Sequence, residues 1–244
     1  GAACGKAEEG EVLLKDIYAD YFPVGAAVTN ANVEMYDELL KNFNSITMEY
    51  EMKWDMLQPS EGRFSFDLAD SVVDWAENHG KKVRGHALVW YKALPSWVLA
   101  EGTTKEQALE RIDTHVYEVM KHYGERTYCW DVVNEALRDY PTQAQVDAGD
   151  FYRTGSETKG QNCGDWYAVC GSDYIKQAFL AADKARKELG LDVKLYYNDY
   201  GLNIPSKRNA LLKMLEEFRE ENIPIDGIGM QAHYNISSSL SDFK

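Results

Sequence analysis

The carboxylate with the clearest chemical context in this sequence follows a short apolar run. The run WDVVNEA places Asn134 and Glu135 directly after Trp130, Val132 and Val133. These apolar residues predict a buried strand, and a carboxylate at its exit needs a reason, because desolvating a charge is costly. Glu135 is then either a structural ion-pair partner or an acid that transfers protons in a reaction. The second alternative requires a partner group elsewhere in the molecule.

Other polar residues also stand at the ends of apolar runs. They are Glu49, His86, Asp199 and His233. In a parallel β/α barrel the carboxyl ends of the strands face the active site, so these side chains would converge with Glu135 there. For each histidine, the alternative is a core residue whose ring nitrogens are satisfied by neighbours.

The elements that would position these side chains alternate along the chain. Apolar runs predict strands at residues 23–28, 45–49, 83–90, 127–135, 193–200 and 225–233. Helical spacing of apolar residues predicts helices at residues 33–43, 66–79, 103–123, 173–189 and 206–222, with Ser206 as a cap of the last one. This alternation is typical of βα repeats around a parallel sheet, and so of the α/β class. The turn after the first strand, VTNANV, lacks the glycines of a dinucleotide-binding fold.

Composition narrows the possible partners. The chain has 244 residues, 26 basic and 40 acidic, with a formal net charge of −14. Such a charge argues against nucleic acid and anionic membranes as partners. No apolar run has the length of a membrane helix, so membrane insertion is not expected. The aromatic share of 12% suits stacking on sugar faces, and it equally suits an ordinary large core.

The cysteines suggest where the protein works. The start GAAC is similar to the cleavage site of a bacterial lipoprotein, which would carry lipid on Cys4 and place the protein outside the cell or at the cell surface. Cys163 and Cys170 flank a polar, glycine-rich segment, and we expect a local disulfide between them in an oxidising compartment. Cys129 is expected to be a buried thiol. No histidine lies near these cysteines, so zinc is not expected.

Five segments together closely resemble glycoside hydrolase family 10, whose members are mainly endo-1,4-β-xylanases. They occur in order between Pro23 and Ile236 and read FNSITMEYEMKWDMLQPSEGRFSFDLAD, VRGHALVWYKALPSWV, WDVVNEAL, LYYNDYGLN and IDGIGMQAHYNI. The resemblance implies a (β/α)8 TIM barrel. Residues 1–244 would form the N-terminal part of one catalytic domain, without strands seven and eight, and residues 140–172 would be a long loop after strand four.

The resemblance also implies an activity and site residues. The reaction would be retaining hydrolysis of internal β-1,4-xylosidic bonds in xylan or xylo-oligosaccharides, without a cofactor. Glu135 would be the general acid/base, which protonates the glycosidic oxygen and later activates water. The positions that match substrate-binding residues of the family are Glu49, Lys53, His86, Trp90, Asn134, Tyr200, Gln231 and His233.

Two departures from the family pattern concern the wall of the cleft. Tyr50 stands where the family has Asn, and Tyr91, Lys92 and Ala93 stand where it has His-Ser-Gln. These positions contact the glycone sugar in the family, so an altered glycone subsite is expected.

The family's second carboxylate has no counterpart in the sequence. The nucleophile is a glutamate at the end of strand seven, in a segment like ITELD, and no such segment occurs. Six strands cannot close the barrel. We therefore expect a second chain or downstream residues to supply the rest. The alternatives are a non-catalytic carbohydrate-binding protein on the same fold and a related β-glucanase.

Overall fold

A single parallel sheet organises the chain, and the computed structural model describes residues 12–231 of it. The strands pair in the order of the sequence, and each pair of neighbours is parallel. They are β1 Gly25–Val28, β2 Ser45–Met48, β3 Lys82–Trp90, β4 Cys129–Asn134, β5 Lys194–Tyr200 and β6 Gly227–Gln231. This is the strand order of six consecutive units of a (β/α)8 barrel, and it confirms the predicted fold class. All six predicted strands are present, and their ends differ from the prediction by at most two residues; the predicted end of the sixth strand, residue 233, lies outside the described residues.

One short helix precedes β1, and the other helices lie between the strands. They are α1 Leu14–Ile17, α2 Asp37–Leu40, α3 Trp54–Leu57, α4 Asp67–Asn78, α5 Lys105–Tyr123, α6 Gln143–Asp147, α7 Trp166–Cys170, α8 Asp173–Leu189 and α9 Pro205–Glu220. Two short 3₁₀ turns cover Gly124–Arg126 and Gly155–Thr158. The predicted helix at residues 33–43 is reduced to α2, because residues 30–36 form turns instead.

Helix ends follow ordinary capping chemistry. Thr104 begins α5 with a capping box: its hydroxyl accepts from the Gln107 N–H at 3.2 Å, and the Gln107 side chain accepts from the Thr104 N–H at 3.0 Å. The prediction that Ser206 caps α9 is wrong. That helix begins one residue earlier, at Pro205, with Ile204 at the cap position. Proline suits a first helical position because its φ is preset and the N–H it lacks would have no helical partner.

Strand β4 lies at the centre of the core, and all six of its residues are buried. Helices α5 and α8 pack against each other, with α8 against β4 and α5 against the neighbouring strand β3. Gly85 on β3 leaves space for the ring of Trp130 on β4, because glycine has no side chain. A Cβ at this position would lie 2.2 Å from the indole of Trp130, closer than real atoms approach. Strand β4 is therefore closely packed on all sides, and this packing fixes the position from which the chain continues to Glu135.

The expected disulfide between Cys163 and Cys170 is not formed, and both thiols are free. Cys170 ends α7 with its side chain in the core, whereas Cys163 lies half-buried on the preceding loop. Cys129 is buried as predicted, and burial raises the pKa of its thiol to about 12. Cys4 lies outside the described residues. Within residues 12–231, no helix has the length and apolar character needed to cross a bilayer.

Candidate active site

Glu135 is the first residue after β4, and its backbone adopts a left-handed conformation with φ of 55°. Such a conformation in a non-glycine residue costs about 1–3 kcal/mol and persists only where the surroundings impose it. Here three hydrogen bonds do so. The Glu135 N–H donates to the Asn198 carbonyl at 2.8 Å, and the Glu135 carbonyl accepts from Arg153 Nε at 2.7 Å. The next N–H, of Ala136, donates to Tyr197 Oη at 3.0 Å.

The carboxylate of Glu135 is held from two sides of the sheet. Trp90 Nε1, at the end of β3, donates to Oε2 at 2.9 Å, and Gln231 Nε2, at the end of β6, donates to Oε1 at 3.0 Å. Each oxygen has a further lone pair, so both can still meet a substrate atom. Glu135 is only 6% exposed, so its charge is largely removed from bulk water. The structure thus brings together three residues predicted from the sequence, with Glu135 at their centre.

Asn134 precedes Glu135 and has its oxygen fully engaged. Its Oδ1 accepts from Asn198 Nδ2 at 2.9 Å and from Gln231 Nε2 at 3.0 Å. These two bonds orient the amide, so Asn134 can act toward a ligand only as an N–H donor. A sugar hydroxyl oxygen is a suitable acceptor for such a donor.

A buried charged group orients His86. His86 Nδ1 lies 2.8 Å from Asp131 Oδ2, and Arg84 donates to both oxygens of the same carboxylate. Burial alone would raise the pKa of Asp131, but the bonds from His86 and Arg84 outweigh it and lower that pKa. With Nδ1 bound to a carboxylate, the imidazole orientation is fixed and Nε2 is the nitrogen left for a ligand.

Sequence reasoning missed Asp131 and Arg84 as parts of the site. The available signal was an aspartate inside a strand of otherwise apolar character, two positions from a cysteine and three from an asparagine. A charge in a buried strand requires a partner. The pairing register supplies it, because β3 and β4 align His86 with Asp131, and Arg84 points to the same face two residues earlier.

Lys53 lies beside the ring of Trp90. Its ammonium is 4.7 Å from the indole centroid and 5.0 Å from the ring of Tyr50, distances at which a cation is attracted to a ring. Burial lowers the pKa of Lys53, against opposing attraction from nearby carboxylates that include Glu135 and Glu49.

An inner cavity of about 470 Å³ lies over the sheet next to this cluster. Glu49, Lys53, His86 and Gln231 are among its lining residues. Predicted substrate-binding residues from three different parts of the chain therefore share one concave surface, as a ligand site requires.

Tyr200 belongs to a different polar group, on the side of the Glu135 backbone. Its hydroxyl bonds to Asp139, and Arg153 Nη2 lies 3.4 Å from the same hydroxyl. Burial, together with the bond to Asp139, raises the pKa of Tyr200. The Lys207 ammonium lies 4.1 Å from the Tyr200 ring centroid. No hydrogen bond joins Tyr200 directly to the Glu135 carboxylate within the described chain.

The long loop after β4 lies against the segment in which the sequence departs from the family. Gly164 N–H donates to the Tyr91 carbonyl at 2.9 Å, and Trp166 Nε1 donates to the Trp90 carbonyl at 3.1 Å. Leu94 N–H donates to a loop carbonyl at 3.0 Å. The loop therefore supports the residues that follow β3, a contact that no local sequence signal predicted.

His233, the remaining predicted site residue, lies outside the described residues.

Comparisons with known proteins point in one direction. The model of glycosyl hydrolase family 10 matches residues 13–244. A β-1,4-xylanase of Dictyoglomus thermophilum is 41% identical over 225 residues, which cover 92% of this chain and 58% of that protein. The chain thus spans less than two thirds of that curated relative.

Solved structures agree with the sequence comparison. An endo-1,4-β-xylanase from Caldicellulosiruptor owensensis superposes with a TM-score of 0.81 at 36% identity, covering 95% of this chain and 67% of that one. An intracellular xylanase of Thermoanaerobacterium saccharolyticum, a mutant in complex with xylotetraose, superposes with a TM-score of 0.81 at 33% identity, covering 96% of this chain and 71% of that one.

Proposed function

Because this chain belongs to glycosyl hydrolase family 10, we propose that it works within a complete barrel as an endo-1,4-β-xylanase with a retaining mechanism. The observation that carries the proposal is the carboxylate of Glu135. It is held between Trp90 and Gln231 at the exit of a buried strand, with little access to bulk water. A carboxyl group held in this way can deliver a proton to one defined position.

The proposed reaction has two steps. In the first, Glu135 protonates the glycosidic oxygen, the leaving sugar departs, and a second carboxylate forms a covalent bond to the anomeric carbon. In the second, Glu135 takes a proton from water, which then releases the glycosyl group with net retention. The second carboxylate would stand about 5 Å from Glu135 and would come from a segment outside residues 12–231, on downstream residues or a second chain.

The remaining residues would hold the sugar chain. Asn134 would donate to a sugar 2-hydroxyl, since its oxygen is already occupied. Trp90 and His86 would form the wall at the cleaved bond, and Glu49 and Lys53 would bind the next sugar from the inner cavity. Xylan is proposed as the substrate because the relatives are named as xylanases.

The direct test replaces the proton donor. In a preparation that contains the complete barrel, Glu135→Gln is expected to lower kcat/KM on xylan by about 100-fold or more, because general acid catalysis contributes on the order of 10²–10⁴. The fold should persist, because the amide keeps the shape of the side chain, and circular dichroism checks this. Wild-type turnover by the folded variant would show that Glu135 is not the acid.

A second candidate, a carbohydrate-binding protein without catalysis, is favoured by the altered wall at Tyr50 and Tyr91. Titration of the complete barrel with xylohexaose, with reducing sugars measured in the same sample, separates the two. Binding without release of reducing ends would select the binding protein. Comparing xylan with cellulose under identical conditions then decides between a xylanase and a β-glucanase.

A further inference from the structure

The side chain of Arg153 reaches the backbone of Glu135 from the long loop after β4. A short antiparallel bridge between Leu137 and Tyr152 brings this part of the loop back to the end of β4. The Arg153 N–H then donates to the Ala136 carbonyl at 2.8 Å, and its Nε donates to the Glu135 carbonyl at 2.7 Å. Arg153 thus fixes the peptide unit that follows Glu135 and the next one, whereas the unit before Glu135 is held by the bond from the Glu135 N–H to the Asn198 carbonyl.

The guanidinium of Arg153 is itself held on all sides. Its Nη2 donates to Asp139 at 2.5 Å, and its Nη1 lies 3.5 Å from a carboxylate oxygen of Glu157. Its plane lies over the ring of Tyr91, 4.6 Å from the centroid. The residue is only 3% exposed. Burial alone would lower the pKa of Arg153, but the bond and charge of Asp139 outweigh it and raise that pKa.

This arrangement connects two features that sequence reasoning treated separately. Tyr91 stands at a position where the sequence departs from the family, and its ring is the platform for the guanidinium. Tyr200, one of the predicted substrate-binding residues, shares Asp139 with Arg153. A lysine could not replace these contacts, because its ammonium lacks the planar fork that bonds in several directions at once.

We propose that Arg153 is a positioning residue for the proton donor: it holds the backbone of Glu135 in the left-handed geometry that aims the carboxyl group at the glycosidic oxygen. The proposal rests on the proposed function, in which Glu135 is the acid. Arg153 does not contact substrate. It acts through the carbonyl of Glu135, and Asp139 and Tyr91 keep its guanidinium in place.

The dependence on the leaving group distinguishes positioning from a merely structural role. An unactivated xylan chain needs protonation of its leaving oxygen. A dinitrophenyl xylobioside does not, because its leaving group, dinitrophenolate, is a weak base that departs without a proton. The value of kcat/KM reports the reaction only through the first irreversible step, so a later need for Glu135 as base does not enter the comparison. A misplaced acid therefore lowers kcat/KM on xylan and spares it on the aryl substrate.

The experiment compares Arg153→Lys with wild type in the complete barrel, at a temperature well below both melting points. We expect kcat/KM on xylo-oligosaccharide to fall by about 10- to 100-fold, the scale on which a 1 Å misplacement acts. On the dinitrophenyl substrate the change should stay within about threefold. Arg186→Lys is the matched control. Arg186 is a partly buried arginine that pairs with two carboxylates, Asp183 and Asp226, and neither of them contacts Glu135 or Arg153, so both of its rates should stay near wild type.

A second variant covers the case in which Arg153→Lys does not fold. Asp139→Asn removes the main anchor of the guanidinium at a partly exposed position, and it should give the same selective loss in a smaller measure. Equal losses on both substrates in the variant that folds would overturn the proposal. Full activity of Glu135→Gln would instead overturn the proposed function, so the two failures are distinguishable.

Discussion

Replacing Asp131 with Asn should remove more stability than its single charge suggests. The carboxylate is almost fully buried between Arg84 and His86, and it accepts hydrogen bonds from both. In Asp131→Asn, one accepting oxygen becomes an N–H₂ group that faces these donors, and the Arg84 guanidinium loses its counter-charge. Breaking a buried ion pair from one side costs about 3–5 kcal/mol. We expect about 3 kcal/mol, because the Arg84 side chain is 25% exposed and keeps some water.

Urea unfolding followed by tryptophan fluorescence at pH 7 measures this loss. Glu38→Gln is the control: Glu38 forms an exposed pair with Lys41, and its loss should change the free energy of unfolding by less than about 0.5 kcal/mol. A loss below about 1 kcal/mol for Asp131→Asn would refute the reasoning that this charge is committed to the fold.

The pH dependence offers an independent check on Asp131. Its folded pKa is lowered, so the folded state binds the proton less readily than the unfolded state. The stabilisation is therefore fully present above the unfolded value of about 4, and it is lost as the pH falls through the folded value. Asp131→Asn should remove that part of the acid dependence. An unchanged acid slope in the variant would contradict the assignment.

Two further predictions concern the core. Burial lowers the pKa of His115 to about 3, so the unfolded state binds a proton first, and stability should fall as the pH drops below about 6.5, by up to about 1.4 kcal/mol per unit. His115→Phe should flatten this slope in urea titrations at pH 4 to 6, although the Gln58 amide nitrogen then loses its partner, His115 Nδ1, at 3.0 Å. An unchanged slope would show that His115 is not the source of the pH dependence. Gly85→Ala should cost about 1–3 kcal/mol, because the new methyl group meets Trp130, whereas Gly25→Ala, whose nearest contact is 3.4 Å, should cost less. Thermal melts compare the two variants, and equal losses would contradict the steric argument.

Much of the fold was predictable from local patterns. The helix at residues 173–189 was predicted with both ends correct, because Gly190 adopts the left-handed conformation that ends helices. The short helices α3 and α7 were missed, because four or five residues contain too little periodicity to register. Pro205 displaced Ser206 as the start signal of α9, since both are helix-start residues and the sequence does not rank them.

The site was predictable where it depends on strand ends and not where it depends on register or long-range contacts. Trp90 and Gln231 each end a strand, Glu135 directly follows one, and parallel strands bring such ends to one edge of the sheet. The partnership of Asp131 with His86 follows from the pairing of β3 with β4, which single-residue patterns do not specify. The hydrogen bonds from the long loop after β4 to the residues after β3 were not predictable either, because they also join distant parts of the chain.

The two hydrogen bonds to the Glu135 carboxylate also bear on the stage of folding at which this group reaches its final geometry. Trp90 reaches the carboxylate from 45 residues before it, and Gln231 from 96 residues after it. A contact across a longer stretch of chain pays more loop-closure entropy, so we expect a folding intermediate in which β1 to β5 have paired before β6 joins the sheet. Such an intermediate would already contain the proton donor but would hold only one of its oxygens. During refolding, Glu135 should therefore recover its function as the acid later than the tryptophan side chains become buried.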